Sequence, residues 1–232
     1  MGARCLLYYI TDRTQLPGDE TARRRALLEK IGEAARAGVD FVQLREKDLS
    51  TRDLEELARE AGRLLSDLRI EDGERRTRLL INSRTDVAFA AGADGVHLRG
   101  VDVSPSTVRF VWAEAADRAA ALASGRAGRE SCRPLVAVSC HNAADVCRAE
   151  SEGADFVVLA PIFGKRDAPN ATPAGLAALR EACRAEIPVL ALGAVTLQNA
   201  EACREAGAAG VAGIRLFQEN RISEVVRALR AL

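Results

Sequence analysis

The sequence predicts a parallel (β/α)8 barrel, and two observations indicate this fold. One local pattern occurs four times, as AGVDFVQL, AGADGVHL, EGADFVVL and AGAAGVAG, and its glycines are separated by 54, 61 and 54 residues. Four further apolar segments fall between these copies, so that eight strand-and-helix units share 232 residues, about 29 residues each. Regular alternation of strands and helices implies right-handed crossovers and a parallel sheet.

Each copy of the pattern predicts a helix that ends at glycine and then a short buried strand. Glycine suits the left-handed position that stops a helix, and Val-rich runs of this length are typical of parallel strands covered on both faces. The glycines are Gly38, Gly92, Gly153 and Gly207. Further strands are predicted at 5–10, 78–81, 135–139 and 188–192. Amphipathic helices are predicted at 20–37, 50–68, 142–152, 173–185 and 197–206.

The whole chain, residues 1–232, is predicted to form one TIM-barrel domain. A doubly wound open sheet is the alternative, which the regular repetition and the lack of a GxGxxG turn disfavour. Irregular connections at 69–77 and 123–133 both precede strands, so we expect surface insertions at the bottom face of the barrel.

Composition restricts the classes of partner. The chain has 33 basic and 33 acidic residues, and this zero formal charge offers no general attraction to nucleic acid or anionic membrane. We expect neither as a partner, and the sequence defines no oligomeric state. Six cysteines without CxxC pairing, and no apolar signal core, indicate reduced thiols in a cytoplasmic protein.

The second predicted strand lies in the run AGVDFVQLREK, continues as far as Lys47 and indicates an anion site. Side chains in a strand alternate between faces, so a register that packs Val42 and Leu44 under helices points Gln43, Arg45 and Lys47 into the barrel. Buried cations are costly unless an anion meets them, and barrel ligands bind at the carboxyl ends of strands. The alternative is an internal ion-pair network with barrel carboxylates.

Polar residues also follow the other predicted strands. They are Thr11, Asp12 and Arg13; Asn82 and Arg84; Asp102; Ser139 and His141; Lys165 and Arg166; Gly193; and Arg215. This set is rich in cations, amides and hydroxyls, with few carboxylates and no cysteine placed as a nucleophile. It favours phosphate chemistry over acyl or glycosyl transfer.

The order of several motifs gives a more specific hypothesis. QLREK at Gln43, IN-x-R at Asn82, GADGVHL, VSCH, GADFVVLAPIF and PVLALG stand in the order found in thiamine phosphate synthases. The chain resembles this family from Tyr8 to about Gly213. The resemblance implies a transferase that condenses 4-amino-2-methyl-5-pyrimidinylmethyl diphosphate with a thiazole phosphate and releases pyrophosphate, with Mg²⁺ present. It also implies a dissociative reaction, which needs charge neutralisation and positioning and no protein nucleophile.

The resemblance carries over to individual residues. It implies that Arg45, Lys47 and Asn82 hold the pyrophosphate, and that Gln43 contacts the pyrimidine. It further implies that Ser139 contacts the reacting region of the substrates and that Asp102 and the residue at position 83 bind the magnesium ion. Backbone amides at Gly193 would bind the thiazole phosphate. The catalytic candidates are Arg45, Lys47, Ser139 and His141.

The chain also departs from the family pattern. Ser83 stands where the family has a carboxylate, which a hard dication prefers to a hydroxyl. The loop after the sixth strand is shortened and leaves Lys165 and Arg166 as candidate phosphate ligands. Ala194 replaces the second of two glycines after the seventh strand, and Arg215 replaces a small hydroxyl residue after the eighth.

These departures keep two other functions open. A thiazole tautomerase would use His141 as general acid and base, without magnesium, and the loss of the carboxylate at Ser83 favours that branch. Asp102 and the complete QLREK favour the synthase. The third hypothesis is a barrel that binds thiamine-related phosphates without turnover. His97 is interpreted as a packed strand residue, while Asp12 and Arg13 fit either substrate contacts or a structural ion pair.

Overall fold

Eight parallel strands close into a barrel in chain order, with the last strand paired to the first. A computed structural model describes residues 4–68, 77–122, 133–164 and 172–232. The strands are β1 (Leu6–Ile10), β2 (Phe41–Leu44), β3 (Arg78–Asn82), β4 (Gly95–Leu98), β5 (Leu135–Cys140), β6 (Phe156–Leu159), β7 (Val189–Ala191) and β8 (Gly210–Gly213). The predicted (β/α)8 barrel is therefore confirmed, and closure excludes the open sheet.

Helices follow the strands around the outside of the barrel. They are α1 (Glu20–Ala37), α2 (Thr51–Asp67), α3 (Thr85–Ala91), α4 (Pro105–Leu122), α5 (Ala143–Ser151), α6 (Gly175–Ala182), α7 (Ala200–Glu205), α8 (Arg215–Gln218) and α9 (Ile222–Arg230). The five predicted helices are confirmed within a few residues at each end. The predicted insertions lie almost wholly outside the described residues, so one domain over 1–232 stays a prediction.

Local sequence explains where these helices begin and end. The side chains of Asp19, Ser50 and Asn142 accept hydrogen bonds from the first-turn amides of α1, α2 and α5 and thereby satisfy donors with no partner inside the helix. The four repeat glycines have φ angles of 85°, 68°, 83° and 100°, in chain order. These angles confirm the predicted left-handed helix stop.

An aspartate after three of the repeat glycines ties neighbouring strands together at the amino-terminal end of the barrel. The carboxylates of Asp40, Asp94 and Asp155 accept the amides of Leu7, Leu79 and Val136 at 2.8, 2.8 and 2.7 Å. The fourth copy of the pattern has Ala209 at this position. The repeated Asp therefore stabilises strand pairing at the face opposite the predicted site.

The strands separate two apolar layers. Val42 and Leu44 belong to the layer between the barrel and its helices, whereas Phe41 packs in the barrel interior. The Phe41 ring stacks on Phe156 at a centroid distance of 4.7 Å, and Tyr8 meets Phe156 edge-on at 5.5 Å. These aromatic rings pack in the barrel interior, and barrel ligands bind at the carboxyl ends of the strands, the open end of the barrel. Among the described helices, none is long and apolar enough to cross a membrane.

Candidate active site

Gln43 lies inside the barrel, as the alternation in β2 predicts. Its side chain is buried and its Nε2 donates to Asn82 Oδ1 on β3 at 3.0 Å. The strand ends at Leu44, earlier than predicted, so Arg45 and Lys47 lie in the following loop. Arg45 is half-buried and Lys47 is exposed. The structure thus brings Gln43 and Asn82 together and places both cations just beyond them.

The loop after β2 contains an ion-pair network that does not include the Arg45 side chain. Glu46 is buried and accepts hydrogen bonds from Thr11 Oγ1 at 2.5 Å and from the Arg13 amide at 3.0 Å. Arg13 also pairs with Asp48 through both terminal nitrogens, at 2.7 and 2.8 Å. The Arg45 amide donates to Thr11 Oγ1 at 3.0 Å.

This network answers two questions left by the sequence. The Arg13 guanidinium pairs with Glu46 and Asp48 and not with Asp12, which favours a structural role for Arg13. Within the described ranges, no carboxylate pairs with the Arg45 guanidinium. A half-buried cation of this kind favours the anion-site interpretation over the ion-pair network.

Ser83 follows β3 with φ of 57°, in the left-handed region where Asn and Asp are enriched over other side chains. Its Oγ is buried and makes no hydrogen bond of normal geometry. Arg84 pairs with Asp86, whose carboxylate accepts hydrogen bonds from Arg84 Nε at 2.9 Å and from Arg84 Nη2 at 2.6 Å. Arg84 is therefore engaged in an exposed ion pair.

Asp102 lies after β4, and Arg99 holds its carboxylate. Arg99 Nη2 donates to Oδ1 and the Arg99 amide donates to Oδ2, both at 2.8 Å. Burial alone would raise the pKa of Asp102, but these hydrogen bonds, with a contribution from the nearby Ser83 hydroxyl, lower the pKa below its usual value. Asp102 is therefore ionised at neutral pH and lies close to Ser83.

His97 on β4 is buried, as expected of a packed strand residue, but its ring also connects two polar side chains. Nδ1 lies 3.0 Å from Tyr8 Oη and Nε2 lies 2.7 Å from Ser139 Oγ. Burial, reinforced by the charge of Arg45, lowers the pKa of His97 to about 3. The ring is therefore neutral. The sequence carries a signal for this position, since His97 alternates with Val96 and Leu98 and so faces the barrel interior.

His141 is exposed just past β5, and its tautomer follows from one contact. Its Nδ1 lies 2.7 Å from the carbonyl oxygen of Ala160. A carbonyl only accepts hydrogen bonds, so Nδ1 carries a proton and donates it. In the neutral ring Nε2 therefore has the lone pair and can act as a base.

The loops after β7 and β8 lie side by side because these strands pair. Gly193 has φ of 103°, and a Cβ at this residue would lie 2.6 Å from the Cα of Pro161. Ala194 keeps a positive φ of 49° although it is not glycine. Arg215 is exposed at the start of α8, and Lys165 and Arg166 lie outside the described residues.

These observations together define a parallel β/α barrel whose carboxyl face carries cations, amides and hydroxyls. Comparison with known sequences identifies the family. The family model for thiamine monophosphate synthase matches residues 7–116 and 121–217. The chain belongs to this family, and hence to the transferases of thiamine biosynthesis.

Curated relatives cover nearly the whole chain. "Putative thiamine-phosphate synthase 2" of Aquifex aeolicus is 37% identical over 214 residues, which are 92% of this chain and 97% of the relative. "Thiamine-phosphate synthase" of Syntrophomonas wolfei is 35% identical over 231 residues, with coverage of 97% and 95%.

Solved structures share the fold. Thiamine phosphate pyrophosphorylase from Pyrococcus furiosus superposes with a TM-score of 0.73 at 24% identity, covering 97% of this chain and 94% of that one. A 3-hexulose-6-phosphate synthase superposes with a TM-score of 0.60 at 20% identity, with 98% coverage of both chains. At these identities the likeness concerns the fold alone.

Proposed function

We propose that this chain joins the methylene carbon of 4-amino-2-methyl-5-pyrimidinylmethyl diphosphate to the ring nitrogen of a thiazole phosphate, giving thiamine phosphate and pyrophosphate. The observation that carries this proposal is the Arg45 guanidinium, half-buried at the open end of the barrel without a carboxylate partner in the described part of the chain. Such a cation stabilises a departing diphosphate better than any neutral group available there.

The reaction itself requires little from the protein beyond charge and position. The bond between the methylene carbon and the diphosphate oxygen breaks, the oxygen keeps the electron pair, and the thiazole nitrogen supplies the pair for the new bond. Arg45 and Lys47 would neutralise the departing group. Gln43 donates to Asn82 through Nε2, so its Oε1 is available to accept from the pyrimidine amino group.

The thiazole phosphate would bind where the loops after β7 and β8 meet. Gly193 allows a close approach of the backbone, and positively charged Arg215 starts the adjacent short helix. Lys165 and Arg166 would add charge from the shortened loop. Two substrates held on neighbouring parts of one rim would react as if intramolecularly.

The donors fit a magnesium ion that is bound mainly through the substrate. Mg²⁺ often uses one or two carboxylates together with substrate phosphates and water, and Asp102 with the buried Ser83 Oγ would provide the protein ligands. Among the described residues, no three acidic, histidine or cysteine side chains are arranged so that they could hold a metal ion by themselves. When bound, the ion would neutralise charge on the diphosphate oxygens.

Thiazole tautomerisation is the second candidate function, and the geometry of His141 favours it. Donation from Nδ1 to Ala160 leaves Nε2 as a base at the open end of the barrel.

The substrates of both proposed reactions are small phosphorylated molecules. A cytoplasmic location remains a prediction, which the five free thiols in the described ranges support.

The decisive experiment supplies purified protein with both substrates, first with magnesium and then with chelator. We expect magnesium-dependent thiamine phosphate, an Arg45→Ala variant slower by about 100-fold, and an unchanged rate for Arg59→Ala, which removes a surface cation of α2. Binding of both substrates without product would overturn the synthase. Isomerisation that His141→Ala abolishes would then identify the tautomerase, and binding without either reaction would identify a regulatory barrel.

A further inference from the structure

We propose that Tyr8 and His97 are positioning residues that hold Ser139 as a hydrogen-bond donor toward the ligand. The tautomer of His97 follows from contacts between described residues alone. Only the identity of the ligand, the pyrimidinylmethyl diphosphate, rests on the proposed function.

Three side chains from three strands form a continuous chain of hydrogen bonds across the barrel interior. Tyr8 comes from β1, His97 from β4 and Ser139 from β5. The oxygen and nitrogen atoms are 3.0 Å apart between Tyr8 and His97, and 2.7 Å apart between His97 and Ser139. Tyr8 is completely buried, His97 is 3% exposed, and Ser139 is half-buried at the end that faces the open site.

The Tyr8 hydroxyl determines the tautomer of His97. Within the described residues, this hydroxyl hydrogen-bonds only to His97 Nδ1. If Nδ1 carried the proton, the buried Tyr8 proton would have no acceptor, which is costly in the protein interior. Tyr8 therefore donates, and Nδ1 accepts. In the neutral ring the remaining proton is on Nε2, which donates to Ser139 Oγ.

This arrangement directs the proton of Ser139. Because Oγ already accepts from His97, its own proton does not point at the imidazole. The partly exposed Ser139 hydroxyl then donates to an acceptor atom of the ligand, either a pyrimidine ring nitrogen or a phosphate oxygen. Arg45 is close enough to His97 to influence its charge state, so this chain of hydrogen bonds adjoins the proposed diphosphate site.

The tautomer can be observed directly because the chain contains only two histidines. Long-range ¹H–¹⁵N spectra of protein labelled at histidine should show one ring protonated at Nε2 and one at Nδ1. His141→Asn should remove the Nδ1 form, which assigns the other ring to His97. In Tyr8→Phe the His97 ring loses its donor, and the Nε2 form should decrease. A wild-type His97 protonated at Nδ1 would overturn the proposal, whether or not the protein turns over.

The functional part is tested by coupling between variants. Tyr8→Phe should weaken binding of the pyrimidinylmethyl diphosphate about fivefold, measured by calorimetry, and the same change in a Ser139→Ala background should have no effect. Tyr9→Phe is the matched control, because the buried Tyr9 hydroxyl donates to Gln218 Oε1 at 3.1 Å outside the barrel. Equal losses for Tyr8→Phe in both backgrounds would indicate a merely structural role and overturn the proposal.

Discussion

Arg13 Nη1 lies 3.2 Å from Glu46 Oε2 in an ion pair whose side chains are only 4% and 1% exposed. Glu46 stands in sequence between the two proposed ligand-binding cations, Arg45 and Lys47, yet its carboxylate is bound by Thr11 and Arg13 instead. The alternation of side chains along the chain therefore separates the charges of Arg45 and Glu46 after β2. The Glu46 carboxylate stabilises the loop, and the Arg45 guanidinium stays available for a ligand.

Glu46→Gln is expected to destabilise the fold by about 1–3 kcal/mol, because it removes charge from a buried, hydrogen-bonded pair. Urea unfolding measures this loss. The matched control is Glu55→Gln, which breaks an exposed pair with Arg59 on α2 and should change the free energy of unfolding by no more than about 0.5 kcal/mol. Equal stability of both variants would contradict the role of Glu46.

Ser83→Asp is expected to raise the magnesium-dependent rate of thiamine phosphate formation. The substitution adds an anionic oxygen next to Asp102, and Asp tolerates the left-handed φ of 57° at this position. The measurement is the initial rate over a series of magnesium concentrations. Ser83→Asn is the control, since it suits the same backbone without adding charge. A clear loss of rate in Ser83→Asp alone would show that the site has been rebuilt around serine.

Gly193→Ala is expected to cost at least about 2 kcal/mol of folding stability and to weaken binding of the thiazole phosphate. Its φ of 103° disfavours any side chain, and the added methyl group would meet Pro161 at 2.6 Å. Thermal unfolding and calorimetry with the thiazole phosphate measure the two effects.

The control for this substitution is Gly62→Ala. Gly62 lies inside α2 with open space around it, so alanine there should stabilise the protein by about 0.5–1 kcal/mol. If both variants were equally stable, the close packing at Gly193 would not be important.

Much of the fold was predictable because its signals are local. The glycine stops, the apolar runs and the inward position of Gln43 each follow from periodicity over a few residues. Strand ends were less accurate, since β2 stops at Leu44 and the two cations continue beyond it. Hydrogen bonding to the neighbouring strands determines that end, and single-strand alternation does not contain this information.

The connection between Tyr8, His97 and Ser139 could not be predicted in the same way. Tyr8 and His97 are 89 residues apart in sequence, and alternation shows only that each side chain faces inward. Which inward residues meet depends on the stagger of strands across the closed barrel. The partners of Arg13 were undecided for the same reason, because Glu46 and Asp48 come from the loop of another strand.

The neutral state of His97 predicts how stability changes with pH. Burial and the positive charge of Arg45 lower the pKa of His97 from 6.5 to about 3, although the negative charge of Asp102 acts in the opposite direction. Between these values the unfolded chain binds the proton and the folded chain does not. The contribution of this residue to stability is therefore complete above pH 6.5 and is lost progressively as the pH falls toward 3, by about 1.4 kcal/mol per pH unit.

Urea unfolding between pH 7 and 5 tests this prediction. This range lies above the pH at which the carboxylates of Asp48, Asp86 and Asp102 begin to titrate, because their pKa values are lowered. Wild-type protein should lose stability across this window, and His97→Gln should lose less because glutamine takes up no proton. If the free energy of unfolding changed equally with pH in wild type and His97→Gln, the imidazole would titrate normally in the folded protein. Its burial against Tyr8 would then not exclude the proton.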